Sequence, residues 1–277
     1  MKLFKVSAFS IEGRGGNPAG VVLADKFPED QEMLALAVEV NYSEIVFAVK
    51  QSQGWRVRYF SPKMEVLFCG HATIALGAIL AAQFGSGEFS LMLNEMVIPV
   101  QGLCQSDTMS ASFQSAPASH SSVDPELLQR AYALFGFQNQ DIDFRIPPQC
   151  IFAGAHHLVL ALKSRSCLAE MSYDFTKGRD LLQAASLTTL MLVFAESDKE
   201  FHVRNIFPNG GIYEDPATGS AAAAFAGYIQ NIFWPTSESI TIFQGEEMGK
   251  RSKIRVLFPP TSAEGLRVHG SVHEILS

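Results

Sequence analysis

The chain of 277 residues is 47% hydrophobic and carries a formal net charge of −7. That length and apolar content bury a large core, in one large or two medium domains. The acidic balance, without a basic stripe, excludes nucleic acid as a partner; no apolar run is long enough to span a bilayer.

The N-terminal segment from Leu3 to Phe9 alternates as a strand does and lacks the continuous apolar stretch of a signal peptide. Gly15-Gly16-Asn17-Pro18-Ala19-Gly20 reads as a turn cluster before the strand Val21-Val22-Leu23. Pro28-Glu29-Asp30 opens a helix striped by Met33, Leu34, Ala37 and Val38, which stops near Asn41. Ser43–Val49 and Trp55–Phe60 form a hairpin around Ser52-Gln53-Gly54, and a helix follows Gly70. Strand-like segments run through Phe89–Val100 and Met109–Phe113, and the polar stretch Ser115–Pro125 reads as a domain junction. Beyond it come a helix over Asp124–Phe135, a strand over His157–Leu162, a helix near Gly178–Ser186, strands over Leu190–Phe194 and Phe201–Ile206, and a helix after Gly219. The last strand, Leu266–Ile275, is expected to return to the first domain. Cys69, Cys104, Cys150 and Cys167 show no paired spacing, which favours reduced thiols and a cytoplasmic location.

An internal duplication organises this plan. Val57-Arg58-Tyr59-Phe60-Ser61-Pro62 and Val203-Arg204-Asn205-Ile206-Phe207-Pro208 share Val-Arg-x-apolar-x-Pro. Arg58 to Arg204 is 146 positions (204 − 58), and Gly70 to Gly219 is 149 (219 − 70), so one copy carries three extra residues in its connecting loop. Each copy ends in a helix of Ala and Gly, opened by Cys69-Gly70-His71-Ala72-Thr73 or by Asp215-Pro216-Ala217-Thr218-Gly219-Ser220. The first amides of a helix have no intrahelical partner and carry partial positive charge, so they receive an anion. If a pseudo-twofold axis relates the copies, the two helix starts converge on a small carboxylate. Read singly, each is also compatible with a core helix whose small residues merely permit close packing.

Five motifs in order carry a resemblance: Gly16-Asn17-Pro18-Ala19-Gly20-Val21-Val22, Asn41-Tyr42-Ser43-Glu44, Phe68-Cys69-Gly70-His71-Ala72-Thr73, Glu214-Asp215-Pro216-Ala217-Thr218-Gly219-Ser220-Ala221 and Gln244-Gly245-Glu246-Glu247-Met248-Gly249. Together they resemble the PhzF family of phenazine biosynthesis, within the diaminopimelate epimerase-like fold. The resemblance implies an α+β fold of two similar pseudo-symmetric domains, each a mixed sheet around a central helix. The N-terminal one is expected over 1–116, completed by 265–277, and the C-terminal one over 117–264. It also implies a homodimeric isomerase with no metal and no cofactor, moving a proton on a small cyclic hydroxy or amino carboxylic acid. By it, Glu44 is the general acid/base, with His71 and Asp215 as the other catalytic residues, and Gly70, Ala72, Thr73, Thr218, Gly219 and Ser220 bind substrate.

The residue types suit that chemistry. A carboxylate can remove a proton and return it when its two protonation states lie close in energy, and the apolar run Ile45-Val46-Phe47 beside Glu44 favours such a shift. Thr218 and Ser220 can donate to a carboxylate or cap the second helix. Ile45 departs from the family, which usually has a hydroxylated residue there. The nearest rival is a racemase of the same fold that works with two thiols, of which Cys69 would be the first. The register through Thr218-Gly219 puts Pro216 at the second thiol's place, and no cysteine follows Cys167, which leaves Cys69 as a small packing residue. A non-catalytic metabolite-binding protein is the other alternative. Adjacent His156 and His157 point to opposite faces of a strand and do not form a metal pair.

Overall fold

Short runs of period-two hydrophobicity make strands here, and the two long Ala- and Gly-rich segments make helices that can be buried on every side. The computed structural model describes residues 1–94, 96–106, 108–235, 238–258 and 265–275. Two units emerge, Met1–Gln114 with His269–Ser277, and Ser115–Val268. The domain boundary expected at 264 and the last two residues of the expected closing segment lie outside the described residues.

The first unit contains β1 (Lys2–Ala8), β2 (Asn17–Ala24), α1 (Asp30–Val40), β3 (Glu44–Gln51), β4 (Gly54–Phe60), the short β5 (Glu65–Val66), α2 (Gly70–Phe84), β6 (Gly87–Met92), β7 (Val97–Gln105) and β8 (Thr108–Gln114). The second contains β9 (Ser119–Ser122), α3 (Pro125–Phe135), β10 (Gln149–Phe152), β11 (His156–Leu162), α4 (Arg165–Ala169), α5 (Phe175–Ala184), β12 (Thr189–Ala195), β13 (Glu200–Ile206), α6 (Gly219–Asn231), β14 (Ser239–Gln244) and β15 (Ser252–Leu257). The last strand is β16 (Arg267–Glu274).

Strand pairing shows the duplication directly. In the first unit the steps β1–β2, β2–β3, β3–β4, β4–β6 and β6–β7 are antiparallel, parallel, antiparallel, parallel and antiparallel. The second unit repeats that series over β10–β11, β11–β12, β12–β13, β13–β14 and β14–β15. Each parallel step needs a crossover, which α1 and α2 supply in one unit and α4 with α5, then α6, in the other. Strand β16 lies beside β8 and pairs with β1 at Val6↔Glu274 through Ala8↔Val272, closing the first unit's sheet into a barrel.

Helix α2 runs through that barrel and is buried continuously from His71 to Ala81. Small residues make the enclosure possible. A Cβ on Gly77 would stand 2.4 Å from Val100, and one on Gly102 would stand 2.2 Å from the Gly77 carbonyl oxygen. The fully buried Ile74, Leu76, Ile79 and Leu80 each contribute about 1.5–3 kcal/mol of apolar burial. In the second unit α6 is buried from Ala221 to Ile229 and packs against β9, β10, β11 and β15. Outside each sheet lies a second core, formed by Met33 and Ala37 of α1 over Val22, Ile45 and Phe47, and by α3 and α5 over β11 and β12.

Several sequence expectations shift by local chemistry. Asn17–Gly20, expected as part of a turn, already belongs to β2, pairing Asn17↔Ala8 through Gly20↔Lys5. The segment Phe89–Val100 is two antiparallel strands, β6 and β7, joined where Leu93 N–H donates to Met96 O at 2.8 Å; Glu95 lies outside the described residues. The polar junction contains β9, paired with β10. Strands β10, β14 and β15 have no counterpart among the expected elements, and α1 ends as expected on Asn41 at a left-handed φ of 53°.

Candidate active site

Glu44 is the first residue of β3, held in place by the parallel register Ala19↔Glu44. His71 is the second residue of α2, and Cys69 is that helix's N-cap. The fold brings all three together. His71 Nε2 lies 3.5 Å from Glu44 Oε2 and 3.2 Å from Ser43 Oγ, and His71 Nδ1 lies 3.2 Å from Cys69 Sγ. The Glu44 side chain retains 16% exposure and that of His71 6%, so the carboxylate is mostly dry yet reachable. Burial pushes the Glu44 carboxyl above its ordinary 4.5, opposed by hydrogen bonds from Ser43 and Cys69.

The two residues flanking this pair, Thr73 and Cys69, are held by their neighbours. Thr73 is fully buried, its hydroxyl donates to the Cys69 carbonyl at 2.8 Å and lies 2.7 Å from Tyr59 Oη, and its amide donates to that carbonyl at 3.0 Å. It braces the helix start. The Cys69 carbonyl is held by Thr73 while its thiol faces His71 and Glu44. Ala72 is fully buried, and Gly70 is partly exposed at the helix start.

In the second unit the loop before α6 is fixed by a polar network. Thr218 Oγ1 donates to Asp215 Oδ2 at 2.6 Å and accepts from Asn205 Nδ2 at 2.7 Å and from Gln244 Nε2 at 3.1 Å. Gln244 Nε2 also donates to the Asp215 carbonyl at 2.6 Å, and Asp215 N–H donates to the Asn205 carbonyl at 3.0 Å. Gly245 makes the close approach possible. Its φ is +75°, and a Cβ there would stand 2.9 Å from Pro216 O. Thr218 is the N-cap of α6, but its side chain makes no cap bond; the hydroxyl orients Asp215. Thr218 also stands where Cys69 stands at the start of α2, so by helix position the residue facing the expected second thiol's role is Thr218 rather than Pro216. Gly219 is buried, and Ser220 is partly exposed on the first turn.

Asn205, Ser43 and Gln244 were missed as site residues. Each sits inside a quoted motif or repeat, but an amide or hydroxyl carries no reactive signature of its own. One carboxylate oxygen of Glu44, the Cys69 sulfur and one ring nitrogen of His71 lie within 4.8 Å of one another. The sequence hid this trio because Glu44 belongs to a different element from the other two.

The family model described as PhzC-PhzF, phenazine biosynthesis-like protein, matches residues 6–271. An uncharacterized isomerase of Mesorhizobium japonicum is 32% identical over 269 residues, covering 90% of this chain and 87% of the relative. The trans-2,3-dihydro-3-hydroxyanthranilate isomerase of Pseudomonas aeruginosa is 27% identical over 255 residues, covering 90% and 87%. A solved PhzF-family phenazine biosynthesis protein of Bacillus anthracis shares the fold, with a TM-score of 0.82 at 20% identity and full coverage of both chains. The curated relatives are named isomerases, which sets the class of protein. Within that class, the chain belongs to the PhzC-PhzF, phenazine biosynthesis-like family.

Among the described residues no helix is long and apolar enough to cross a membrane.

Proposed function

We propose that this isomerase moves a proton between carbons of a small cyclic hydroxy or amino carboxylic acid, with Glu44 as the general acid/base and without a cofactor. The observation that carries the reading is the Glu44 carboxylate: mostly buried, raised in pKa, and 3.5 Å from His71 Nε2. Raising a carboxyl towards neutrality brings its two protonation states close in energy, as a group that takes and returns one proton requires. In this scheme ionised Glu44 removes a carbon-bound proton, His71 steadies the developing anion beside the start of α2, and the protonated carboxyl delivers the proton to another carbon on the same face. Asp215, oriented by Thr218, orients a polar group of the substrate, and the first turn of α6 at Gly219 and Ser220 contributes binding groups.

The named activity of the Pseudomonas aeruginosa relative supports a cyclic amino acid of that kind. A two-thiol racemase fits less well, because the start of α6 holds Thr218 where α2 has Cys69. The same reading makes the protein a cytoplasmic homodimer that binds neither nucleic acid nor membrane. The test is incubation with candidate cyclic amino acids in deuterated water. Mass spectrometry is expected to show one compound exchanging a carbon-bound hydrogen in the wild type but not in Glu44→Gln; a protein that binds such compounds without exchange is the metabolite-binding alternative.

A further inference from the structure

We infer that the outer face of strands β6, β7 and β8 is where a second copy of this chain docks; the inference rests on the homodimer of the proposed function and names its contact surface. Side chains alternate across this sheet. Val100 and Gly102 of β7 crowd Gly77 of α2, so Val97, Pro99 and Leu103 point to the opposite face. There Val97 is 62% and Leu103 39% exposed, Pro99 is exposed as well, and Met96 at the adjoining turn is 53% exposed. One side of β7 thus offers three apolar side chains to water, interrupted by Gln101. An exposed apolar patch of this kind marks an interaction site.

The duplication supplies an internal reference for this face. Trp55 and Phe201 are equivalent residues of the two copies, 146 positions apart (201 − 55), and pair with Leu91 of β6 and Ile242 of β14. Carried through the next pairing, Met92↔Val97 matches Phe243↔Lys253, and Ser90↔Pro99 matches Thr241↔Arg255. Lys253 and Arg255 are exposed, and Arg251 lies over the Phe243 ring, 4.8 Å from its centroid. The same face is therefore charged in the second unit and apolar in the first. The fold does not require the apolar side chains, since matching strands carry cations in the other copy.

Charge selects the occupant. Glu88 is the one charged side chain on this face of β6, β7 and β8 among the described residues. The whole chain carries −7, so two copies approach most easily through a patch that lacks that charge. A twofold axis then lays the patch on its own copy, apolar against apolar. A strongly charged partner finds no counter-charge here.

Sedimentation velocity of the full chain over a dilution series is expected to show wild type as a dimer at micromolar concentration. Val97→Lys with Pro99→Arg places on this face the residues that the second unit carries at the matching positions, so the sheet accommodates them. Set against themselves across the twofold axis, these cations should weaken dimerisation by at least about tenfold. Leu103→Gln, which adds no charge, should weaken it in the same direction and decides the question if the double variant fails to fold. Arg255→Glu, on the second unit's face, should leave the dimer unchanged. A dimer undiminished in the folded double variant, or in Leu103→Gln where that variant alone folds, overturns this face and leaves the homodimer standing. A wild type that stays monomeric overturns both and gives the face to a different macromolecule. The isomerase reading, tested by deuterium exchange, is touched by neither result.

Discussion

Arg204 grips Glu214 in a buried forked pair, and the same pair recurs in the other unit as Arg58 with Glu65. Arg204 Nε donates to Glu214 Oε2 at 2.9 Å and its Nη2 bonds Glu214 Oε1, while Arg58 Nε and Nη2 bond the two Glu65 oxygens at 2.8 and 2.6 Å. Glu65 to Glu214 is 149 positions (214 − 65), the offset of the two helix-opening glycines, whereas the arginines stand 146 apart. The three extra residues therefore lie between arginine and glutamate, and the chain loops them out while keeping the pair. Each fork ties a strand to the segment that leads into the following helix.

The two pairs differ in burial, which predicts different costs. Arg204 and Glu214 side chains are 8% and 6% exposed, and Arg204 Nη1 also donates to the carbonyls of Leu168, Ala169 and Met171. Arg58 and Glu65 are 18% and 28% exposed, and Arg58 has Asp30 as a second partner. Glu214→Gln strands a buried guanidinium and should cost on the order of 3–5 kcal/mol. Glu65→Gln should cost about 1 kcal/mol or less. Urea unfolding midpoints of the two variants check this, and equal losses would contradict it.

Acid should destabilise the second unit through His157. This side chain is fully buried, with Nδ1 2.6 Å from Thr189 Oγ1, and burial depresses its pKa from 6.5 to about 3, assisted by neighbouring His156. A lowered histidine stays neutral when folded and takes a proton when unfolded, so its stability contribution is present above pH 6.5 and is lost as pH falls through the window down to about 3. The loss should amount to several kcal/mol, at about 1.4 kcal/mol for each unit of pKa. Denaturant titrations between pH 7 and pH 4 should show a steeper fall for wild type than for His157→Gln; parallel slopes would count against it.

Much of this was legible in the residues. The doubled Val-Arg-x-apolar-x-Pro pattern and the glycine-led helices appear in the structure as one repeated series of strand pairings, because periodicity and small-residue packing are local signals. Glu44 and His71 were legible through motifs, and their proximity is what the fold adds. What could not be read was the partner of each hydroxyl. Thr73 and Thr218 both stand at helix starts; one is engaged by Tyr59 and the Cys69 carbonyl and the other by Asp215 and Asn205. Tyr59 and Asn205 come from strands β4 and β13, 14 and 13 positions away, and no local spacing encodes those two contacts.

The Thr218 hydroxyl should act by positioning. Thr218→Val keeps the shape but removes the donor to Asp215 Oδ2 and the acceptor for Asn205 Nδ2, leaving that buried amide without its partner. An expected stability cost of about 1–3 kcal/mol follows from such a loss, with turnover on an exchanging substrate lowered and Thr218→Ser restoring most of it. Failure of Ser to rescue would show that the methyl group, not the hydroxyl, matters.

Cys69→Ala and Cys69→Ser should retain most isomerase activity, since the glutamate carries the proton and the thiol lies beside it. A two-thiol racemase demands near-complete loss. Alkylation is a poor substitute for this comparison, because a bulky adduct next to His71 blocks the site whatever the mechanism. Steady-state turnover of the small variants decides, and an inactive, folded Cys69→Ala protein would overturn the glutamate assignment.

Glu44→Gln should lower turnover by roughly a hundredfold to ten-thousandfold, the range of general acid/base contributions, or about 3–5 kcal/mol of barrier. The amide keeps the side chain's shape but cannot accept and return a proton. Stability gives an independent readout of the same group. Because burial raises the Glu44 pKa above 4.5, the folded state holds this proton more tightly than the unfolded chain does. The contribution is thus fully present below pH 4.5 and is lost as pH rises through the raised folded value. Relative to Glu44→Gln, wild type should therefore lose stability across that window and level off above it. The limb of the kcat/KM profile on which activity appears should fall at that same raised pKa, since the ionised carboxylate is the base. A wild-type limb at or below the ordinary glutamate value, or a Gln variant with unchanged turnover, would separate Glu44 from the chemistry.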